Sequence, residues 1–296
     1  LEEIESNEIG VLEEDLNNKI NEYCKENKIS PYVLFLTALS TYIYRVKDKN
    51  DFVLGTPVLN RANFKEKQMI GMFVATLPLR VRVEENIKFI DFAKEIARNN
   101  LSLFRHQKYP YSKVLEYVHE NSDIKENLYN IVVSFQNAKT NYSSDNYSTK
   151  WHFSKSLEDE LQIHISDLDD TGIFSINYDY NEELFEDIEI TYLHTRLISI
   201  IEDAIKNIDI DIESIKIMSD AEKDKILNEF NNTYSEYERE KTVIEIFEEQ
   251  VKKTPDNVAL VFEEKELTYK ELNEKANVLA KYLKDEKINN RIVGIR

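Results

Sequence analysis

The stretch Gln68–Val83, QMIGMFVATLPLRVRV, most constrains what this chain can fold into. Leu79, Val81 and Val83 alternate with Arg80 and Arg82, the period-two signature of a strand with one buried and one polar face. Gly71 marks a turn that feeds it, and Phe73, Val74 and Leu77 lead into Pro78. A proline has no N–H to give to a ladder, so this strand is expected at a sheet edge or broken at residue 78.

The sequence on either side reads as alternating helices and strands. Leu12, Leu16, Ile20 and Tyr23 recur at helical spacing between Val11 and Lys28, with Cys24 beside that stripe as a buried, inert thiol. Ser30 and Pro31 supply an N-cap and a first helical residue for a second helix, Tyr32 to Val46, apolar on most faces and expected at the centre of the core. Asp51–Val58 predicts a short strand running into a Gly-Thr-Pro turn, followed by a polar loop to about Lys67. Asn86–His106 predicts a long amphipathic helix stopped by Tyr109-Pro110, and Tyr111–His119 a shorter one.

Leu128–Gln136 reads as a buried strand, Ala138–Ser148 as a polar loop, and Lys150–Ser154, Leu161–Asp167 and Gly172–Tyr180 as three further strands. The last two are expected to form a hairpin across Leu168–Gly172, and Asp187–Ile205 another amphipathic helix. Residues 1–212 thus predict one α/β domain with helices on one face of a mixed sheet. Residues 213–241 read as a polar linker, with Ser219 capping a helix inside it. Residues 242–296 read as the opening of a second α/β unit: helix Val243–Lys252, strand Val258–Phe262, a helix from Leu267-Thr-Tyr to about Leu283, and a strand beginning at Val293. A first residue that is not Met and a last segment that starts a strand predict that the sequence belongs to something longer.

Charge and cysteine content narrow the function classes. The net charge is −18, which speaks against a nucleic-acid groove or an anionic membrane surface, both of which need clustered Lys and Arg. The longest apolar run, Tyr32–Val46, is too short and too polar to cross a bilayer. With Cys24 as the only cysteine, no intrachain disulfide can form, and a reducing, cytoplasmic setting is the expectation. The 5 histidines show no metal-ligand spacing, and the 5 glycines form no G-x-S-x-G elbow, Walker loop or G-x-G-x-x-G turn. His164 stands near Asp167 and Asp169, but residues 164 and 167 of a strand face opposite ways. No catalytic residue emerges from the residues themselves.

Four segments, in order, resemble the second half of a condensation domain of nonribosomal peptide synthetases. FVLGTPVLNR (Phe52–Arg61) is similar to that family's GTPxxxR segment, IGMFVATLPLR (Ile70–Arg80) to IGxFVNTLPLR, HQKYPY (His106–Tyr111) to HQDYPF, and NLYNIVVSFQN (Asn127–Asn137) to its NPLFxVxFxxQN region. Downstream, Thr242–Leu283 resembles the start of an adenylation domain, whose first core motif is matched by Leu267, Thr268, Tyr269, Glu271 and Leu272 in LTYKELN. Ala75 stands where the family's motif has Asn, Lys108 where it has Asp, and Ser122 and Glu126 where arginines are common.

The resemblance implies a chloramphenicol-acetyltransferase-like lobe, the C-terminal one of two, followed by a linker and a truncated adenylation start. It implies that no cofactor binds this part directly. Substrates would arrive as phosphopantetheine thioesters on peptidyl carrier proteins, and ATP with Mg would serve only a complete adenylation domain. The family's HHxxxDG motif would lie in the missing first lobe, since no two histidines are adjacent here, and the fragment alone is then expected to be inactive. Gly55, Thr56, Pro57 and Arg61 are implied in a loop crossing beneath the substrate tunnel, and Phe73, Thr76 and Arg80 along its wall or bracing it. Gly71, His106, Gln107, Gln136 and Asn137 belong to the same motifs. Two alternatives stay open: a carrier-binding module without chemistry, and an acyltransferase of the same fold that uses coenzyme A thioesters.

Overall fold

The computed structural model describes residues 11–137, 159–167, 172–236, 240–286 and 288. The Ala138–Ser148 loop, the strand at Lys150–Ser154, most of the turn at Leu168–Gly172 and the strand at Val293 lie outside the described residues. The chain divides into two compact units, residues 1–227 and 228–296.

The first unit is built on a five-stranded mixed sheet ordered β2-β1-β3-β4-β5. These strands are β1 (Asp51–Val58), β2 (Ala75–Arg82), β3 (Ile131–Gln136), β4 (Leu161–Ser166) and β5 (Ser175–Tyr180). β1 pairs antiparallel with β2 along the full length of both, from Asp51↔Arg82 to Val58↔Ala75. β3 runs parallel to β1 and to β4, and β5 closes the far edge antiparallel to β4. β2 is the other edge, where a strand containing Pro78 is tolerated.

The structure corrects one local expectation. Gly55-Thr56-Pro57 is not a turn, because β1 continues through it to Val58. Pro57↔Thr76 and Gly55↔Pro78 are pairs two residues apart, so both prolines fall on pairs of one hydrogen-bonding class. The recorded pairing of β1 with β3 is at Gly55↔Val132, so that ladder asks nothing of position 57.

Helices α1 (Glu14–Asn27), α2 (Pro31–Lys47), α4 (Phe89–Arg105) and α6 (Asp187–Lys206) bury their apolar stripes in one core with the sheet; a short helix, α3 (Phe64–Lys67), lies between β1 and β2. α2 is the central helix the sequence predicts, with Leu34, Leu36 and Ala38 fully buried. Ser30 Oγ accepts from the Val33 N–H at 3.2 Å, and Pro31 opens the helix. Each fully buried Leu, Ile or Phe in this core contributes roughly 1.5–3 kcal/mol. Cys24 is buried, and burial pushes its thiol up to about 12, so it is inert as expected.

α5 (Tyr111–Asn121) packs beside β2, and Tyr111 sets its ring 5.1 Å from that of Tyr129. Residues beyond α6 stay fastened to this unit. Ile212 and Ile215 are buried, Arg45 Nη1 donates to the carbonyl oxygens of both at 2.8 and 3.2 Å, and Arg196 pairs with Glu222 within α7 (Asp220–Asp224).

The second unit contains α8 (Val243–Lys253), the two-stranded sheet β6 (Val258–Phe262) and β7 (Lys265–Thr268), and α9 (Tyr269–Asp285). Thr242 and Thr268 each form a reciprocal capping box with the Glu three residues on. No described residue of this unit is buried.

Candidate functional site

Gly55, Thr56, Pro57, Arg61, Gly71, Phe73, Thr76 and Arg80 lie in the β1–β2 hairpin and the loop that joins its strands, at one edge of the first unit's sheet. Gly55 and Thr56 sit inside β1 for different reasons. A Cβ on Gly55 would fall 2.7 Å from Val132 Cγ2 and 2.8 Å from the Tyr129 ring, so only glycine lets β3 and Tyr129 come this close. Thr56 is fully buried, and its hydroxyl hydrogen-bonds the phenol of Tyr32, which also donates to the Val133 carbonyl at 3.1 Å. Burial raises the Tyr32 phenol to about 12, so it stays protonated as the donor that the carbonyl needs. The resemblance implies Gly55, Thr56 and Pro57 in a crossing loop; the structure places all three within β1.

Arg61 lies in the loop that joins β1 to β2 and organises it. Its guanidinium donates to the backbone oxygens of Glu66, Met69 (2.5 Å) and Gly71 (2.8 Å) and lies 4.2 Å over the Phe73 ring. Cation and ring attract in this geometry, and the planar fork with its several donors suits Arg where a Lys could not serve. Gly71 carries a φ of +146°, open to glycine and strained for any side chain. Phe73 is half-exposed and forms the platform beneath Arg61.

The loop has polar bonds inside and apolar side chains outside. Leu59, Phe64, Ile70 and Met72 are between 73% and 104% exposed, whereas the Glu66 carboxylate is met by donors of the loop and of Lys108. Glu66 Oε2 accepts from Lys108 Nζ at 2.9 Å and from the Ala62 N–H at 2.7 Å. Lys108 Nζ, and after it the Ala62 N–H, hold the Glu66 carboxyl below its ordinary range. Lys108 also donates to the Asn60 carbonyl at 2.7 Å. Asn60 itself has a φ of +52°, a left-handed conformation that Asn tolerates better than most residues.

Along β2, Thr76 is half-exposed opposite Pro57. Arg80 grips Asp51 with two bonds, 2.8 and 2.7 Å, and that fork holds the Asp51 carboxyl below its usual range. Beside it, a shallow groove is lined by Pro78, Arg80, Arg82, Glu95, Asn99 and His106, among others. His106 caps the C-terminal end of α4 exposed, with Nδ1 2.9 Å from the Ser102 carbonyl, and Gln107 follows half-buried. Gln136 and Asn137 lie at the far end of β3, and the Gln136 carbonyl accepts from the Asp167 N–H at 2.9 Å.

Two polar pairs that the sequence reading does not single out sit on β3, β4 and β5. Ser134 and His164 are register partners joined at 2.7 Å between Oγ and Nδ1, and Ser166 and Ser175 at 2.6 Å. Burial lowers the His164 pKa and keeps the ring neutral. Asp167 accepts from the Gly172 N–H at 3.0 Å. The only advance signal for such pairs is polar residues at alternating positions, which becomes informative once the register is fixed.

In the second unit, Thr268 and Glu271 close the capping box of α9, with Glu271 Oε2 accepting from the Thr268 N–H at 2.9 Å. Tyr269 lies 6.1 Å from the Phe247 ring, Leu267 pairs with Leu260 across β6 and β7, and Leu272 is half-buried. Among the described residues no group of three or more His, Cys, Asp and Glu could hold a metal ion, and no helix is long and apolar enough to cross a membrane.

Solved structures share this architecture. A four-domain nonribosomal peptide synthetase, holo-AB3403 with AMP and glycine, superposes with a TM-score of 0.71 at 17% identity, over 94% of this chain and 22% of that one. The condensation domain of the polyketide synthase MokA gives 0.59 at 20% identity, over 69% of this chain and 47% of that one. Among curated sequences, surfactin synthase subunit 1 of Bacillus subtilis (strain 168) is 34% identical across 92% of this chain. Gramicidin S synthase 2 of Brevibacillus brevis is 30% identical across 86%. The chain spans only 8% and 6% of the length of these two relatives. The sequence model of the condensation domain matches residues 4–227, the whole strand-and-helix frame that carries the Arg61 loop, and the chain belongs to the condensation-domain family.

Proposed function

We propose that this chain supplies the C-terminal lobe of a condensation domain in a nonribosomal peptide synthetase module, where an amide bond forms between two carrier-bound thioesters. In this reading residues 1–212 form the lobe, and residues 213–241 are the linker, fastened to the lobe as far as Glu222. Residues 242–296 begin the adenylation domain of the same module. The linkage is acyl transfer: the acceptor's α-amine attacks the donor thioester carbonyl, the C–S bond breaks, and the donor carrier leaves as the thiol. The histidine motif that assists proton transfer belongs to the other lobe, so this part alone does not catalyse the step. The substrates come on phosphopantetheine arms of peptidyl carrier proteins, and holding both in place converts an encounter into a near-unimolecular reaction.

The observation that carries the reading is the condensation-domain match across residues 4–227, together with the pairing of two of the motif segments, Phe52–Arg61 and Ile70–Arg80, in one hairpin. Within it, the Arg61 loop passes beneath the tunnel, while Thr76 and Arg80 face or brace its wall. The capping box of Thr268 and Glu271 gives the LTYKELN segment a structural role as a helix start, compatible with an adenylation domain's first motif.

The test uses the complete synthetase, loaded with donor and acceptor aminoacyl carriers and analysed by mass spectrometry of the carrier-bound product. A dipeptidyl thioester on the acceptor carrier is the expected result. Saturable carrier binding without amide product would replace the reading by a carrier-docking module. Amide formation from a free coenzyme A thioester at the same rate would replace it by the coenzyme A acyltransferase alternative.

A further inference from the structure

Resting on that reading, we propose that the Lys108–Glu66 pair is a latch that fixes the pose of the Asn60–Phe73 loop, making Lys108 a positioning residue for amide formation. One carboxylate oxygen, Glu66 Oε2, receives both the Lys108 ammonium at 2.9 Å and the Ala62 N–H at 2.7 Å. The same ammonium holds the Asn60 carbonyl at 2.7 Å. Lys108 therefore joins the residue where the loop begins to the residue at its middle, and it does so from a separate segment, the turn after α4. From inside, Arg61 holds the carbonyls of Glu66, Met69 and Gly71. The two cations thus both hold Glu66, Arg61 at its backbone oxygen and Lys108 at its carboxylate.

The latch differs from an ordinary exposed ion pair, which contributes little because two flexible side chains must be ordered for it. Here the Glu66 side chain is only 23% exposed and is already ordered by Ala62, and the backbone oxygen of the same residue is taken by Arg61. Phe64, Ile70 and Met72 are exposed tips of this loop, so their positions follow the backbone that the polar centre holds. This also explains the chain's departure from the HQDYPF pattern. Aspartate at position 108 would put a second carboxylate against Glu66, whereas a cation there donates to it.

The test is made in the full-length synthetase with Lys108→Asp, Lys108→Arg and the exchanged pair Glu66→Lys with Lys108→Glu. Amide hydrogen exchange at Ala62 and Met69 reads the latch, and single-turnover amide formation reads its consequence. Lys108→Asp is expected to speed exchange at both amides and slow amide formation, each by about three- to tenfold, with KM for the acceptor carrier unchanged. Lys108→Arg should retain the wild-type values, and the exchanged pair should be faster than either of its single variants. Unchanged exchange in Lys108→Asp overturns the latch. Faster exchange with an unchanged rate overturns the positioning role. A wild-type synthetase that shows protected loop amides but forms no amide overturns the functional reading, and the positioning role with it, while the latch stands.

Discussion

Helices α4 and α9 are each 17 residues long and both amphipathic, yet they end in opposite states. α4 buries Phe89, Ile90, Phe92, Ala93 and Ile96, while α9 leaves Val278, Leu279 and Tyr282 more than half exposed. The difference lies in what faces them. α4 packs in one core with α2 and a five-stranded sheet; α9 has α8 and a two-stranded sheet whose own Val261 and Phe262 are exposed. A periodic stripe of apolar residues makes burial available to a helix, and a sufficiently broad facing surface realises it.

The largest effect that would test this contrast is at Phe92, which is fully buried. Phe92→Ala should destabilise the first unit by about 3–5 kcal/mol, the transfer loss plus the cavity left behind. Denaturant titration followed by exchange at the β1 and β3 amides measures it. A loss below about 1 kcal/mol would mean that the core closes around the vacancy and is looser than its packing indicates.

A smaller effect is expected where backbone, not side chain, makes the contact. Gly55→Val puts new atoms against Val132 and the Tyr129 ring, both already closer than 3 Å to a Cβ at that position. Overpacking of this kind costs about 1–3 kcal/mol, and the same titration should show it. If Gly55→Val were neutral, the close approach of β1 to β3 would be dispensable to the fold.

Acid should separate the two units. Burial lowers the pKa of His164 and of His194 below the ordinary 6.5, so the folded first unit resists protons that its unfolded chain takes up. Its stability is then greatest above pH 6.5, falls as the pH drops below that value, and levels off below the folded pKa values. The second unit contains no histidine. Its capping carboxylates, Glu245 and Glu271, are held below the ordinary 4.5 chiefly by backbone N–H groups. Their contribution is present above 4.5 and is lost only as the pH falls through the lower folded values. Exchange protection between pH 7 and pH 5 should therefore decline in β3 and β4 and hold in α9. Equal decline in both would remove the histidines as its cause.

What is legible in the sequence follows from the range of each interaction. The stripe of α2, its Ser30-Pro31 start and the edge position of β2 depend on neighbours a few residues away, so pattern alone finds them. At Gly55-Thr56-Pro57 local chemistry favours a turn, while pairing with residues 76–78 makes a strand of it. Motif resemblance locates the Arg61 loop, but its internal order is not legible. Glu66 and Lys108 are 42 residues apart, and Asp51 and Arg80 are 29 apart; nothing in their spacing announces that they meet. Lys108 stands out in the sequence only as a departure from a pattern, and its meaning comes from the carboxylate it faces.

The smallest effect sharpens the opening contrast most. Leu279 lies on the apolar stripe of α9 and is 56% exposed. Leu279→Ala removes side-chain atoms that already meet water, and alanine favours the helix slightly more than leucine. The change in stability of the second unit should stay within about 0.5 kcal/mol, as for surface positions without special contacts. Exchange at the α9 amides, compared with wild type under identical conditions, measures it. A loss above about 1 kcal/mol would require that the stripe be covered in solution, and the state of α9 would then differ from that of α4 in degree only.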